Sequence, residues 1–401
     1  MKNQRVLIIG ALVVLAVAAF FFSQKQTKVS DIKVGIILGF TGPIESLTPD
    51  MASGAELAFK EATDSGDLLG GANIIPLRAD STCVDSAAAS TAAEDLIAQG
   101  IVAIMGADCS GVTGAIATNV AVPNGVVMIS PSATSPALTD LDDNNLFFRT
   151  APSDARGGEV LADITKDNGI SSVAITYVNT DYGVGLADVY KAALEAHGIT
   201  VTATTAHEGD KADYSAEVGV LSSAGGDALA VLGYLDQGGN QIIQGSLDSG
   251  AFDTFVLSDG MIGDSLTDTF GNALNNSFGS MPGSLGEGAQ IFAKYAEENG
   301  VNPSVYVGES YDAAALLILA MQAGESTDRS SIAANIMNVA NGPGEKIMAG
   351  ELSKGLKLLA EGKSIDYQGA TDVSFTDVGE AFGLFIEKGI ENGKFINVAQ
   401  R

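Results

Sequence analysis

Short apolar runs alternate along this chain with longer segments whose apolar residues recur every three or four positions. The runs IKVGIIL (32–38), NIIPLRA (73–79), IVAIM (101–105) and VVMI (126–129) predict strands. Helical spacing fills the intervals at about 50–64, 84–99 and 111–120. A second series repeats the layout. SVAITYV (172–178), ITVTATTA (199–206), ALAVLGY (228–234) and TFVLS (254–258) read as strands, with helices near 154–168, 184–197, 213–223 and 237–249. Alanine-rich stretches such as SAAASTAAEDLIAQ suit helices that pack closely on a sheet. The alternation predicts an α/β protein of two lobes, each a doubly wound parallel sheet covered on both faces.

The final third is mixed. Helices are expected near 285–299, 309–323, 328–340 and 353–361, followed by short strands TDVSFT (371–376) and FGLFIEKG (382–389). Such a stretch cannot build a third sheet and is expected to return to both lobes. The chain would then cross between lobes three times, near 150, 281 and 366, with Ala151-Pro152 and Met281-Pro282-Gly283 as hinge points. The expected division is 31–150 with 282–366 in the first lobe and 151–281 with 367–401 in the second.

The N-terminus points out of the cytosol. Lys2 and Arg5 precede the apolar run Val6–Phe22, and the polar SQKQTK follows, the pattern of an export signal or an N-terminal anchor over residues 1–30. No cysteine lies near this run to accept a lipid. In an exported protein the only two cysteines, Cys83 and Cys109, are read by default as a disulfide, with two unrelated free thiols as the alternative. The charge is lopsided: 21 Lys+Arg against 49 Asp+Glu give −28. A surface that negative repels nucleic acid and anionic membrane, which removes both as partners.

Six glycine-rich or polar loops follow the expected strands: GFTGP (39–43), GADCSG (106–111), SPSATS (130–135), NTDYGVG (179–185), GYLDQGG (233–239) and SDGMIGD (258–264). Three belong to each lobe. Parallel strands bind ligands at their carboxyl ends, so the two sets define a cleft. Ser110, Ser132 and Thr134 can converge there on a small polar group, although Ser110 alone also reads as a helix cap. Asp259 can face them and pair with an ammonium, or simply form a turn before Gly260. Tyr182 and Tyr234 stand at strand ends where aromatic walls would cover an apolar stem.

Catalysis finds no support. There is no phosphate-binding G-x-x-x-x-G-K-[ST], no G-x-S-x-G elbow and no H-E-x-x-H. His197 and His207 read as solvated surface residues, and Asp140–Asp143 as a solvated turn. No cofactor or metal is expected.

The ordered pieces ADCSG, GVVMISPSATSPALTD and LFFRTAP, with TGP, NTDYGVGLA, GYLDQGGNQIIQ and SYDAAALL, resemble the solute-binding proteins of ABC transporters. The resemblance is to the leucine/isoleucine/valine-binding type and runs from about Ile32 to Val398. It implies the type I periplasmic-binding fold and partnership with ABC permease subunits. By position, Ser110 and the Thr134 backbone would take a ligand carboxylate. The Ser132 carbonyl, the Thr134 hydroxyl and Asp259 would take the ammonium. Tyr182, Tyr234 and Tyr306 would line the side-chain pocket, and Cys83–Cys109 would be the family's disulfide. Two positions depart from the pattern: Asp259 stands in place of Glu, and Asp108 replaces an apolar residue near the ligand side chain. A carboxylate at 108 argues against a purely aliphatic ligand and leaves polar or cationic side chains, amides and other small solutes open. Rival readings are a membrane-tethered sensor ectodomain of the same fold and an α/β enzyme using the cleft.

Overall fold

The computed structural model describes residues 31–401. The basic and apolar N-terminal segment, with its expected signal or anchor, lies outside the described residues. Among those described, no helix is long and apolar enough to cross a membrane.

The first sheet has five parallel strands in the order β2-β1-β3-β4-β5: β1 Ile32–Leu38, β2 Ile74–Asp80, β3 Ala103–Gly106, β4 Val127–Ser130 and β5 Phe147–Arg149. Its central strands are apolar on both faces, and β3 and β4 are buried at every position. Helices cover both sides, as a parallel sheet requires. Helix α1 (Thr48–Ser65) packs along α10 (Val307–Ala323). Buried from Glu309 through Gln322, α10 is apolar nearly all round because neighbouring helices and the sheet enclose it. The last third therefore does return to the first lobe.

The second sheet has seven strands in the order β14-β13-β10-β9-β8-β6-β7. Strands β6 Ser172–Val178, β7 Thr200–His207, β8 Ala228–Leu232, β9 Phe255–Leu257 and β10 Phe278–Pro282 run parallel. Strands β13 Phe385–Glu391 and β14 Lys394–Gln400 add on antiparallel. A small parallel pair, β11 Glu345–Met348 with β12 Ile365–Gly369, sits apart from both. Two parallel-sheet lobes thus make up the described chain, as expected.

Two expectations change. Residues 371–376 form no strand: Asn341 bonds both the N–H and the carbonyl of Phe375, and Asp312 accepts from Thr371. Val373 and Phe375 are buried in alternation, but no strand lies beside them over their length. Accordingly, the third passage between sheets comes between Gly369 and Phe385, after position 366, which lies inside β12.

In each sheet the strand order reverses beside the first strand, between β1 and β3 and between β6 and β8. The loops leaving those four strands flank the crevice where doubly wound sheets hold ligands.

Candidate functional site

Ile44, Leu47, Asp108, Cys109, Ser110 and Ser132 from the first lobe line one small cavity with Tyr182, Tyr234, Asp259, Gly260 and Tyr306. Of the eight residues expected in the site, only Thr134 is missing from this lining. The sequence places these groups far apart; the switch-point loops bring them within reach of one guest.

Ser110 begins helix α3 (Ser110–Ile116), and Cys109, not Ser110, occupies the cap position. Its Oγ accepts the Ser135 N–H at 3.1 Å, which leaves its own proton free to donate. Thr134 is 1% exposed; its hydroxyl makes no hydrogen bond of full geometry but lies against the Asp154 carboxyl and favours that group's charged form. Ser132 Oγ donates to the Asp108 carbonyl at 3.1 Å. Gly106, where β3 enters this loop, has φ 125°, and a Cβ there would meet the Ile37 carbonyl at 2.1 Å. Only glycine lets the loop leave the sheet so tightly.

Asp259 faces these groups from the end of β9. It also opens a tight turn, its carbonyl accepting the Ile262 N–H at 3.0 Å; Oδ1 accepts from the Tyr182 hydroxyl at 2.6 Å and Oδ2 from that of Tyr306. Tyr306 is held at φ 62°, an uncommon conformation for a bulky residue at the head of a helix. Tyr182 stacks on Tyr234 with centroids 5.1 Å apart. Burial raises the Asp259 carboxyl above its ordinary value, against the pull of the two tyrosine hydroxyls. The phenols of Tyr182 and Tyr306 are raised as well, first by burial and then by the Asp259 charge.

A second acid, absent from the expected residues, lies behind the site and lines a neighbouring small cavity with Asp259. Asp154 is 3% exposed, one carboxylate oxygen has no partner, and its N–H donates to the Thr134 carbonyl at 2.8 Å. Burial, then the Asp259 charge, raise its carboxyl well above the usual range. The available signal was Ser153: it caps helix α4 (Asp154–Asp167), freeing Asp154 to turn inward.

Asp108 differs from expectation. It lines the cavity, but Oδ2 accepts the Gly39 N–H at 2.6 Å and Oδ1 accepts from Ser81 and Cys109. Its carboxylate ties three loops together, and the argument against an aliphatic guest loses its basis. Cys83 and Cys109 are bonded, tying the loop after β2 to the loop after β3; closing that loop is worth roughly 3 kcal/mol.

His207 is not a surface residue. As the last residue of β7 it points inward, 2% exposed, with Nδ1 2.8 Å from Thr176 Oγ1, and burial lowers its pKa to about 4. His197 is half-buried beside Asp163 at 2.8 Å. Behind the site, Arg149 is 1% exposed and holds the Ala133 and Ser135 carbonyls, so it brackets Thr134 while pairing with Glu380. No group of three or more metal-ligating side chains occurs among the described residues.

Residues 31–349 match the sequence profile of the periplasmic binding protein family. The chain belongs to that family. Among its relatives, Leu/Ile/Val-binding protein homolog 1 of Brucella melitensis is 31% identical over 313 residues, covering 76% of this chain and 81% of the relative. A leucine-binding protein of Thermotoga maritima superposes with TM-score 0.76 at 23% identity, over 92% of this chain and 98% of that one. A branched-chain amino acid transporter substrate-binding protein of Streptococcus pneumoniae, in complex with isoleucine, gives TM-score 0.76 at 21% identity with the same coverage. These two establish the shared fold. Periplasmic binding proteins are extracytoplasmic and bind solutes, so this chain is a substrate-binding protein of that family.

Proposed function

We propose that this periplasmic binding protein captures a free aliphatic amino acid between its lobes and delivers it to an ABC permease. One observation carries the reading: the Ser110 and Ser132 hydroxyls of one lobe line the same cavity as the buried Asp259 carboxylate of the other, with apolar and aromatic walls between. Ser110 and the Thr134 backbone would hold the carboxylate. The Thr134 hydroxyl, the Ser132 carbonyl and Asp259 would hold the ammonium. Ile44, Leu47, Tyr234 and Tyr306 would line the guest's alkyl group.

In this reading the lobes close about the three crossovers, with residues 31–150 in the first and 151–281 in the second. Charge-assisted hydrogen bonds form fully only on closure. Residues 1–30 would direct export, and the permease would read the closed form. Similarity to Leu/Ile/Val-binding protein homologues supports the choice of ligand. A thermal-shift screen of the amino acids, with amides and small carboxylates, tests it. Leucine, isoleucine or valine at a hundredfold excess over Kd should add about 2.7 kcal/mol of stability. Stabilisation by none of the three, with a clear shift from an amide or an aromatic acid, would refute it.

A further inference from the structure

A much larger cavity lies beside the candidate site and shares Leu47 and Tyr306 with it. Its volume is about 680 Å³, against about 20 Å³ for the candidate site, and falls within the range of small-molecule sites. Both lobes wall it. Asp50, Val305 and Glu309 come from segments packed on the first sheet, and Ile262, Ile386 and Lys388 from the second lobe. Its floor is an apolar cluster of Ile262, Met281 and Ile386, separate from the main core. Nothing in the amino-acid reading uses this space.

Its charges do not balance. Lys388 donates to Asn397 Oδ1 at 2.6 Å and is offset by Asp264. Asp50 accepts only neutral donors, Asn302 at 2.8 Å and Ser304 at 2.9 Å, and forms no ion pair among the described residues. Glu309, in the first turn of α10, is 4% exposed. Among the described residues its carboxyl has no cation within 4.0 Å and no donor other than its own backbone N–H. Burial, with Asp312 one turn away, pushes this acid up to about 8. A buried acid without a partner is costly, and a cation placed against it would remove that cost. The −28 charge of the whole chain favours the same sign of guest.

We propose that this lateral cavity binds a small organic cation with an apolar body, an alkyl- or arylammonium. Its charge would rest on Glu309 and its body on the Ile262–Ile386 cluster. A cation would draw the Glu309 proton off and pair with the carboxylate, whereas neutral solutes gain only the apolar contact.

Calorimetric titration of benzylammonium chloride into the full chain tests this. Saturable one-to-one binding is expected, weakened at least about tenfold in Glu309→Gln, which keeps the shape and removes the charge. Benzyl alcohol should bind the unaltered protein at least about tenfold more weakly, a comparison that needs no variant. The proposal is overturned by no saturation up to about 10 mM, by equal affinity in Glu309→Gln, or by alcohol binding as well as the cation. It is also overturned if Asp259→Asn alone abolishes binding, which would place the cation in the amino-acid site. Each of these outcomes leaves the amino-acid reading standing or falling on its own screen.

Discussion

Replacing Asp259 by Asn removes one charge and almost no volume, so it isolates what the carboxylate does for a bound ammonium. In the folded chain Asp259 is 7% exposed, and both oxygens already accept a tyrosine hydroxyl. Each oxygen has a second lone pair, so an ammonium can join without displacing either phenol. Without the carboxylate, the ammonium would be buried against neutral dipoles. Breaking a buried ion pair in that way costs about 3 to 5 kcal/mol, or about 100- to 4,000-fold in Kd. Asp154 stays behind and carries part of the load, which places the expected loss near the lower end, about 100-fold. Asp154→Asn should cost less alone, and the double variant should lose more than the sum of the singles, since each acid covers for the other.

The assay is calorimetric titration with leucine, isoleucine and valine at neutral pH, with circular dichroism confirming the fold of each variant. A companion ligand sharpens it: 4-methylpentanoate has the leucine side chain and carboxylate but no ammonium. It should bind the unaltered protein poorly and Asp259→Asn no worse. A loss below about fivefold for all three amino acids would refute the pairing. Equal losses for leucine and 4-methylpentanoate would also refute it, because the effect would then be structural.

Two further outcomes follow from the same geometry. Burial holds Asp259 and Asp154 above the ordinary carboxylate range, so the folded state binds their protons more tightly than the unfolded chain. Their contribution to stability is fully present below the unfolded pKa of about 3.9 and is lost as pH rises through the raised folded values. Amino-acid affinity runs the other way and falls on acidification. Subtracting the denaturation profile of the double Asn variant from that of the unaltered protein, between about pH 4 and pH 8, should expose the first slope; a flat difference would refute it. Separately, Glu380→Ala leaves the Arg149 guanidinium buried with only carbonyls and a hydroxyl. Urea unfolding should show a loss of about 3 to 5 kcal/mol, and a loss under about 1 kcal/mol would show that water reaches this pair.

Legibility in the sequence followed local signal strength. Strands such as 32–38 and 172–178 are apolar runs bounded by turn residues, and their limits match the structure. Strand β5 has three residues, β10 ends in proline, and β14 is an edge strand with exposed polar positions, so none carries a strong period. Residues 371–376 show the converse. Their alternation is real, yet a strand also needs a neighbour, and only the tertiary fold decides that. His207 was misjudged for the same reason: acidic residues nearby suggested solvent, while the pleat of β7 turned the ring inward.

The site divides along the same line. Ser110, Ser132, Tyr182, Tyr234 and Asp259 sit on loops that leave strand ends, and the switch-point rule brings such loops together whatever the rest of the chain does. Asp154 sits at a helix start, where an acid ordinarily serves the helix itself and excites no suspicion. Its role depends on Ser153 taking the cap, on Thr134 lying across from its N–H, and on Asp259 arriving from the other lobe. Each of those is a contact between distant segments. Asp108 errs in the opposite direction: a charge in a ligand loop looks functional until Gly39, Ser81 and Cys109 are seen to neutralise it. The residues that speak for function here are those whose polar atoms the fold leaves unspent. Asp259 qualifies on that ground, since its carboxylate meets only hydroxyl donors and no cation, and a guest carrying an ammonium would supply one.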